Sequence, residues 1–169
     1  MSKLFRTTLW IFSGVGLIAF LVQTLSTFLI SPLMGLLSLL IAAVLVTLIF
    51  YLLQRSPMWA RPARLWATLA FLWGGGVAVA LALISAGPVM QLAIGSGWVE
   101  SMMSWSGAYP EEISKATGVI FVLMSFRQLN RPWHGWIVGA VVGLGFEACE
   151  NILYGAMGAT MHPDSDIQG

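Results

Sequence analysis

Residues 33–53 read LMGLLSLLIAAVLVTLIFYLL, with no charged residue and no proline. A helix crosses the hydrocarbon layer with about 20 apolar residues, so this stretch is long enough to span it. In lipid only helices and closed barrels satisfy the backbone, and an unbroken apolar run does not alternate as a barrel strand does. Working outward, residues 9–30 and 65–86 form similar runs, while 111–126 and 136–157 are as apolar apart from a few carboxylates. Of the 169 residues, 58% are hydrophobic and only 9% charged. Soluble domains carry roughly a quarter charged residues, and this chain has too few to clothe a soluble core. The expected fold is all-α: a polytopic transmembrane helical bundle of about five spans, forming a single membrane domain over residues 1–169.

The charges are distributed to one side. Lys3 and Arg6 precede the first span, Arg55, Arg61 and Arg64 lie between the second and third, and Arg127 and Arg131 lie between the fourth and fifth. Those are same-side loops of a five-span chain, and the positive-inside rule places them in the cytoplasm. Glu100, Asp164 and Asp166 fall on the other side. The expected location is the cell (inner) membrane, with the N-terminus cytoplasmic and the C-terminus outside. The first run is longer than a signal-peptide core and reads as an uncleaved anchor. A single cysteine, Cys149, excludes an internal disulfide and reads as an apolar filler within a span.

Spans one and two meet at Ser31-Pro32 as a helical hairpin without intramembrane charge, and read as scaffold. Gly74-Gly75-Gly76 in the third span is a packing point or a flexible one, with packing favoured. Residues 88–109 are too polar and broken for a span. Trp98, Met102, Met103 and Trp105 suit a short interfacial helix on the outer surface.

The chemistry concentrates near the end. Ionisable residues inside a span cost about 2.5–3.5 kcal/mol each, yet Glu111, Glu112, Lys115, Glu147 and Glu150 occupy just two helices. Counted from the cytoplasmic ends at Phe126 and Trp136, Lys115 and Glu147 lie ~16 Å deep, and Glu112 and Glu150 ~21 Å deep. Antiparallel neighbours would hold them at matching depths. Glu147, Glu150, Asn151 and Tyr154 share one helical face, and Gly135, Gly139 and Gly143 run toward it as a small-residue stripe. The reading is one buried pocket between the fourth and fifth spans. Carboxylates around a single lysine in low dielectric cannot all ionise. One glutamate activating water, a second donating protons and an amide facing an oxyanion would suffice for peptide hydrolysis. The same groups also fit a proton or ion path, or a structural network with Lys115 paired to Glu147. The chain shows no internal repeat or pair of broken helices, which weighs against a transporter.

Two stretches carry a resemblance. Tyr109-Pro110-Glu111-Glu112-Ile113-Ser114-Lys115 resembles the EExxK motif of the PrsW family of intramembrane proteases. Residues 143–154, GLGFEACENILY, resemble that family's second segment, GxGFxxxEN followed by Tyr. The resemblance covers residues 107–157 and implies an intramembrane endopeptidase, distantly related to CAAX prenyl endoproteases and bacteriocin-processing membrane proteases. It implies that Glu111 or Glu112 activates water with Lys115 tuning their charge, and that Glu150 is the second catalytic position with Asn151 beside it. Glu147, Tyr154 and Phe146 are then pocket residues. The implied substrate is a membrane-anchored protein of the anti-sigma-factor type.

The family also has a third motif centred on a helical histidine. His134 falls in a predicted loop, and His162 lies among Pro163, Asp164 and Asp166 beyond the fifth span. The chain is therefore expected to be a fragment or a divergent member. In the latter case the alternative is a non-catalytic membrane module that binds a transmembrane partner. Carboxylates and a lysine make a weak zinc site, and HExxH is absent. No cofactor is expected, and zinc is the less favoured option. No phosphate-binding loop, GxSxG or basic aromatic surface points to a nucleotide or nucleic acid.

Overall fold

The computed structural model describes residues 3–161. His162, Pro163, Asp164 and Asp166, with the expectations attached to them, lie outside the described residues. Those described form helices and connections, without a strand. Helix α1 spans Lys3–Ile30 and α2 spans Pro32–Arg55, joined by Ser31 alone. Ser31 caps α2 by accepting a 3.3 Å hydrogen bond from the Met34 amide, and Pro32 takes the first-turn position where no amide proton is needed.

The next pass is continuous from Arg64 to Gly95 but changes its winding midway. Helix α3 (Arg64–Leu72) passes into a π-helical segment, Trp73–Ala78, and then into α4 (Val79–Gly95). Where the sequence suggests an end near Ala86, the helix runs on through Pro88. It stops in a Schellman arrangement: Gly97 takes φ +79°, its amide donates to Ile94 O at 3.0 Å, and the Trp98 amide donates to Ala93 O at 2.8 Å. A 3₁₀ turn (Val99–Ser101) and the short helix α5 (Met102–Ser106) follow. Trp105 stacks between Trp98 and Tyr109, with ring centroids 5.0 and 4.7 Å away. The last two helices are α6 (Ala108–Ser125) and α7 (His134–Met161).

Four of the described passes are long and apolar enough to cross a membrane: α1, α2, the Arg64–Gly95 pass and α7. The remaining one, α6, carries Glu111, Glu112 and Lys115 within its 18 residues. The protein is an integral membrane protein of all-α fold. Its outer surface suits lipid, since α1 and α2 expose Val15, Ile18, Leu25, Ile41 and Val44, each more than half accessible. Helix α7 is the centre. Inside the bundle lies 56% of its apolar window, against 11% for α2.

Glycines set the spacing at that centre. A Cβ on Gly74 would strike the Val142 carbonyl, and one on Gly75 would come within 2.8 Å of Gly145 O. On the other side, Gly76 meets the backbone of Gly16 in α1, and Gly145 meets the Phe71 carbonyl. The π segment thus presents successive glycines to two different helices, and three backbones touch. The triplet is a packing point. The stripe predicted on α7 is not where the close approach occurs. Gly143 has nothing within 4 Å of a Cβ position, and Gly135 and Gly139 only reach side-chain methyls at 3.9 Å. The reason is the partner: α6 packs there through Leu123 and Val119, which fill the space a glycine leaves.

Candidate active site

The N-terminus of α6 delivers the first carboxylates. Pro110 occupies the first turn, where its missing amide proton costs nothing, and Glu111 lies there too, near the positive end of the helix dipole. One turn on, Lys115 reaches back to Glu112 at 2.5 Å. The ammonium also lies 4.4 Å from the centroid of the Phe146 ring on α7, a cation–π contact. Lys115 is therefore held by one neighbour on each helix. Glu147 is not among these partners.

Across the interface, Glu150 accepts a 2.9 Å hydrogen bond from the Tyr154 hydroxyl, one turn further along α7. Glu111 lies within electrostatic range of Glu150, Lys115, Glu112 and Glu147. Glu111 on α6 and Glu150 on α7 are thus near enough for their charges to act on one another, and Lys115 of α6 reaches Phe146 of α7. The register follows the depth count to within one residue, since Lys115 meets Phe146 rather than Glu147.

Enclosure is where the structure departs from the sequence reading. Glu112 is 71% exposed and Tyr154 55% exposed, and Glu147 and Asn151 are exposed as well. The cluster lies on an open face rather than in a buried pocket. Helical periodicity aligns side chains on a face but does not say which neighbour covers it. Glu147 and Asn151 turn to a cleft of 290 Å³ shared with Ala42, Leu45, Val46 and Ile49 of α2. Structurally the nine-residue stretch from Phe146 to Tyr154 serves two surfaces: Phe146, Glu150 and Tyr154 engage the α6 side or each other, and Glu147 and Asn151 turn to α2.

Three positioning contacts are not evident from sequence. Trp73, 1% exposed in the π segment, donates its indole N–H to Ser114 O at 3.1 Å, just before Lys115. Its ring lies against Gly118 and stacks on Phe121 at 5.3 Å. From α1, the Gln23 amide donates to Cys149 O at 3.3 Å and the Thr27 hydroxyl to Ile152 O at 3.4 Å, flanking Glu150. A lone glutamine in an apolar run was the available signal. The first span is scaffold in a literal sense, since it hydrogen-bonds the backbone that bears Glu150.

An apolar groove of 640 Å³ runs between α4 and α6 on the adjoining face of α6, lined by Leu81, Val89, Trp98, Tyr109, Ile113 and Thr117 among others. Among the described residues, no three His, Cys, Asp or Glu side chains converge as ligands for a metal ion. His134, expected in a loop, is instead the first residue of α7, about 20 Å along the helix from Glu147, and its Nδ1 accepts a 3.0 Å hydrogen bond from the Arg131 amide.

No curated protein and no solved structure matches the chain. Residues 62–169, from the loop before α3 to the last residue, match the family model described as PrsW family intramembrane metalloprotease, and the chain belongs to that family.

Proposed function

We propose that this protein hydrolyses a peptide bond of a membrane-anchored substrate with water activated by Glu111, and that Glu150 is the second catalytic carboxyl. Family membership supports a membrane peptidase. The observation that supports the residue assignment is Lys115, held between the helices by Glu112 of α6 and Phe146 of α7, with Glu111 one turn from Lys115 on one helix and Glu150 one turn from Phe146 on the other. Glu112 is the weaker candidate for the base, because it is largely exposed and already engaged by Lys115.

In this reading the Glu111 carboxylate takes a proton from water as the oxygen attacks the scissile carbonyl carbon. The carbonyl oxygen becomes an oxyanion beside the Lys115 ammonium; Asn151, the amide expected to donate to it, turns instead to the α2 cleft. Glu150, held in orientation by Tyr154, passes a proton to the amide nitrogen as the C–N bond breaks. Lys115, paired with Glu112 and lying over the Phe146 ring, supplies the positive charge at the site. General acid–base assistance of this kind contributes about 10²–10⁴-fold per group. The family description includes a metal. The described carboxylates, with a lysine among them and no third ligand converging, do not fit a metal site, and no step is routed through one. The substrate class by resemblance is a membrane-bound regulator of the anti-sigma-factor type. The proposed orientation follows the basic loops, with the N-terminus cytoplasmic and the site toward the outer leaflet.

The test is cleavage of a co-expressed membrane-anchored substrate by Glu111→Gln and Glu150→Gln variants that still accumulate in the membrane. Loss of product in both supports the reading. Wild-type cleavage in both ends it. If the unsubstituted chain itself releases no product but retains a transmembrane partner, the non-catalytic module takes its place.

A further inference from the structure

At the far end of α6, about 15 Å along the helix from Lys115, a second polar site lies apart from the carboxylates. Lys3 and Arg6 from the start of α1, with Ser125 at the end of α6 and Arg127 and Gln128 just beyond it, line a pocket of 460 Å³. Three cations border it and no carboxylate does. Among the described residues the one ion pair is Lys115–Glu112, so Lys3, Arg6 and Arg127 have no acidic partner there. An adjoining cavity that shares Leu65, Phe126 and Gln128 adds Arg61 and Arg64.

Ser125 makes this more than a charged rim. It is 1% exposed, lines the pocket, and its hydroxyl has no hydrogen-bond partner. An unpaired buried hydroxyl costs about 1–3 kcal/mol, a cost removed by an acceptor entering the pocket. Mutual repulsion of the three cations is relieved by the same event if the acceptor is anionic. Arginines favour phosphate, whose oxygens accept their paired N–H groups.

We propose that this pocket binds a phosphate group, with Arg6, Arg127 and Lys3 supplying charge and the Ser125 hydroxyl donating a hydrogen bond. Two sources share that chemistry: the headgroup of an anionic phospholipid and free phosphate. Its place at the ends of α1 and α6 suits a headgroup, since basic pockets between membrane helices take anionic lipids. The proposal is independent of the peptidase reading.

Native mass spectrometry of the intact chain, released from micelles doped with phosphatidylglycerol or phosphatidylcholine, tests it. Phosphatidylglycerol should be retained preferentially. Arg6→Gln and Arg127→Gln, both at exposed side chains, should each lower its retention about fivefold, as one surface cation contributes. Ser125→Ala should lower it as well, and Arg55→Gln, outside the pocket, should not. Displacement by millimolar inorganic phosphate would identify free phosphate as a competent ligand, and resistance to it would identify the lipid. Equal retention of both lipids, together with no retained inorganic phosphate at millimolar concentration, overturns the proposal. So does unchanged retention in Ser125→Ala, or a loss in Arg55→Gln matching that in Arg6→Gln, since either result describes a diffuse surface potential.

Discussion

Trp73 donates its indole N–H to the carbonyl oxygen of Ser114 at 3.1 Å, and so ties the π-helical centre of the bundle to the helix that bears Glu111, Glu112 and Lys115. The ring lies flat enough against α6 that Gly118 is the residue beneath it. A side chain at position 118 would push the two apart. Their contact fixes α6 against the π segment.

Gly118→Ala is therefore expected to destabilise the protein by about 1–3 kcal/mol through overpacking. Trp73→Phe, which keeps an aromatic ring but removes the donor, should cost about 0.5–1.5 kcal/mol. Thermal unfolding in detergent measures both. Cleavage should fall by up to about 100-fold in Gly118→Ala, because small misplacements of reacting groups are costly. Full stability in both variants would show that this contact does not position α6.

The glycines of α7 make a matched pair. Gly145→Ala drives a methyl into the Phe71 carbonyl, whereas Gly143→Ala meets nothing within 4 Å. The first should lower stability by about 1–3 kcal/mol, and the second should raise it by up to about 1 kcal/mol through helix propensity. Equal melting temperatures for the two variants would contradict the three-backbone centre.

On the same helix, Glu150→Gln and Glu147→Gln separate the two surfaces. Product formation should drop by at least about 100-fold in Glu150→Gln. Glu147, turned to the cleft with α2, should tolerate the change within a few-fold. Reversal of that order would move the second catalytic carboxyl to Glu147.

Lys115 and Phe146 should be energetically coupled. A double-mutant cycle with Lys115→Met and Phe146→Leu is expected to give about 0.5–2 kcal/mol in unfolding free energy. Additive effects would mean that the 4.4 Å approach is not an interaction.

Orientation is accessible through Cys149, which is the single cysteine and is buried. In a Cys149→Ala background, an impermeant maleimide applied to intact cells should label Glu100→Cys and spare Arg61→Cys. The opposite pattern would invert the proposed topology.

The long apolar runs made the helices readable, because span length is set by the bilayer and needs no knowledge of neighbours. The meeting of Lys115 with α7 near Glu147 followed from counting rise along two helices. What escaped were features decided by residues far apart in sequence. The π segment is legible only beside Gly16 and Gly145, which supply the backbones that its glycines touch. Trp73 reads as one more apolar residue until Ser114 stands opposite it. The exposed setting of Glu147 and Asn151 depends on how α2 lies against α7, and no periodicity within α7 contains that.

Gly16, Gly76, Gly74 and Gly145 leave no layer of side chains between α1, the third pass and α7. Side chains are the part of a helix interface that yields, by changing rotamer or tilting. Where backbones touch, that compliance is gone. The consequence is mechanical: the junction of these three helices is stiff, because a shift of one backbone there is met directly by another.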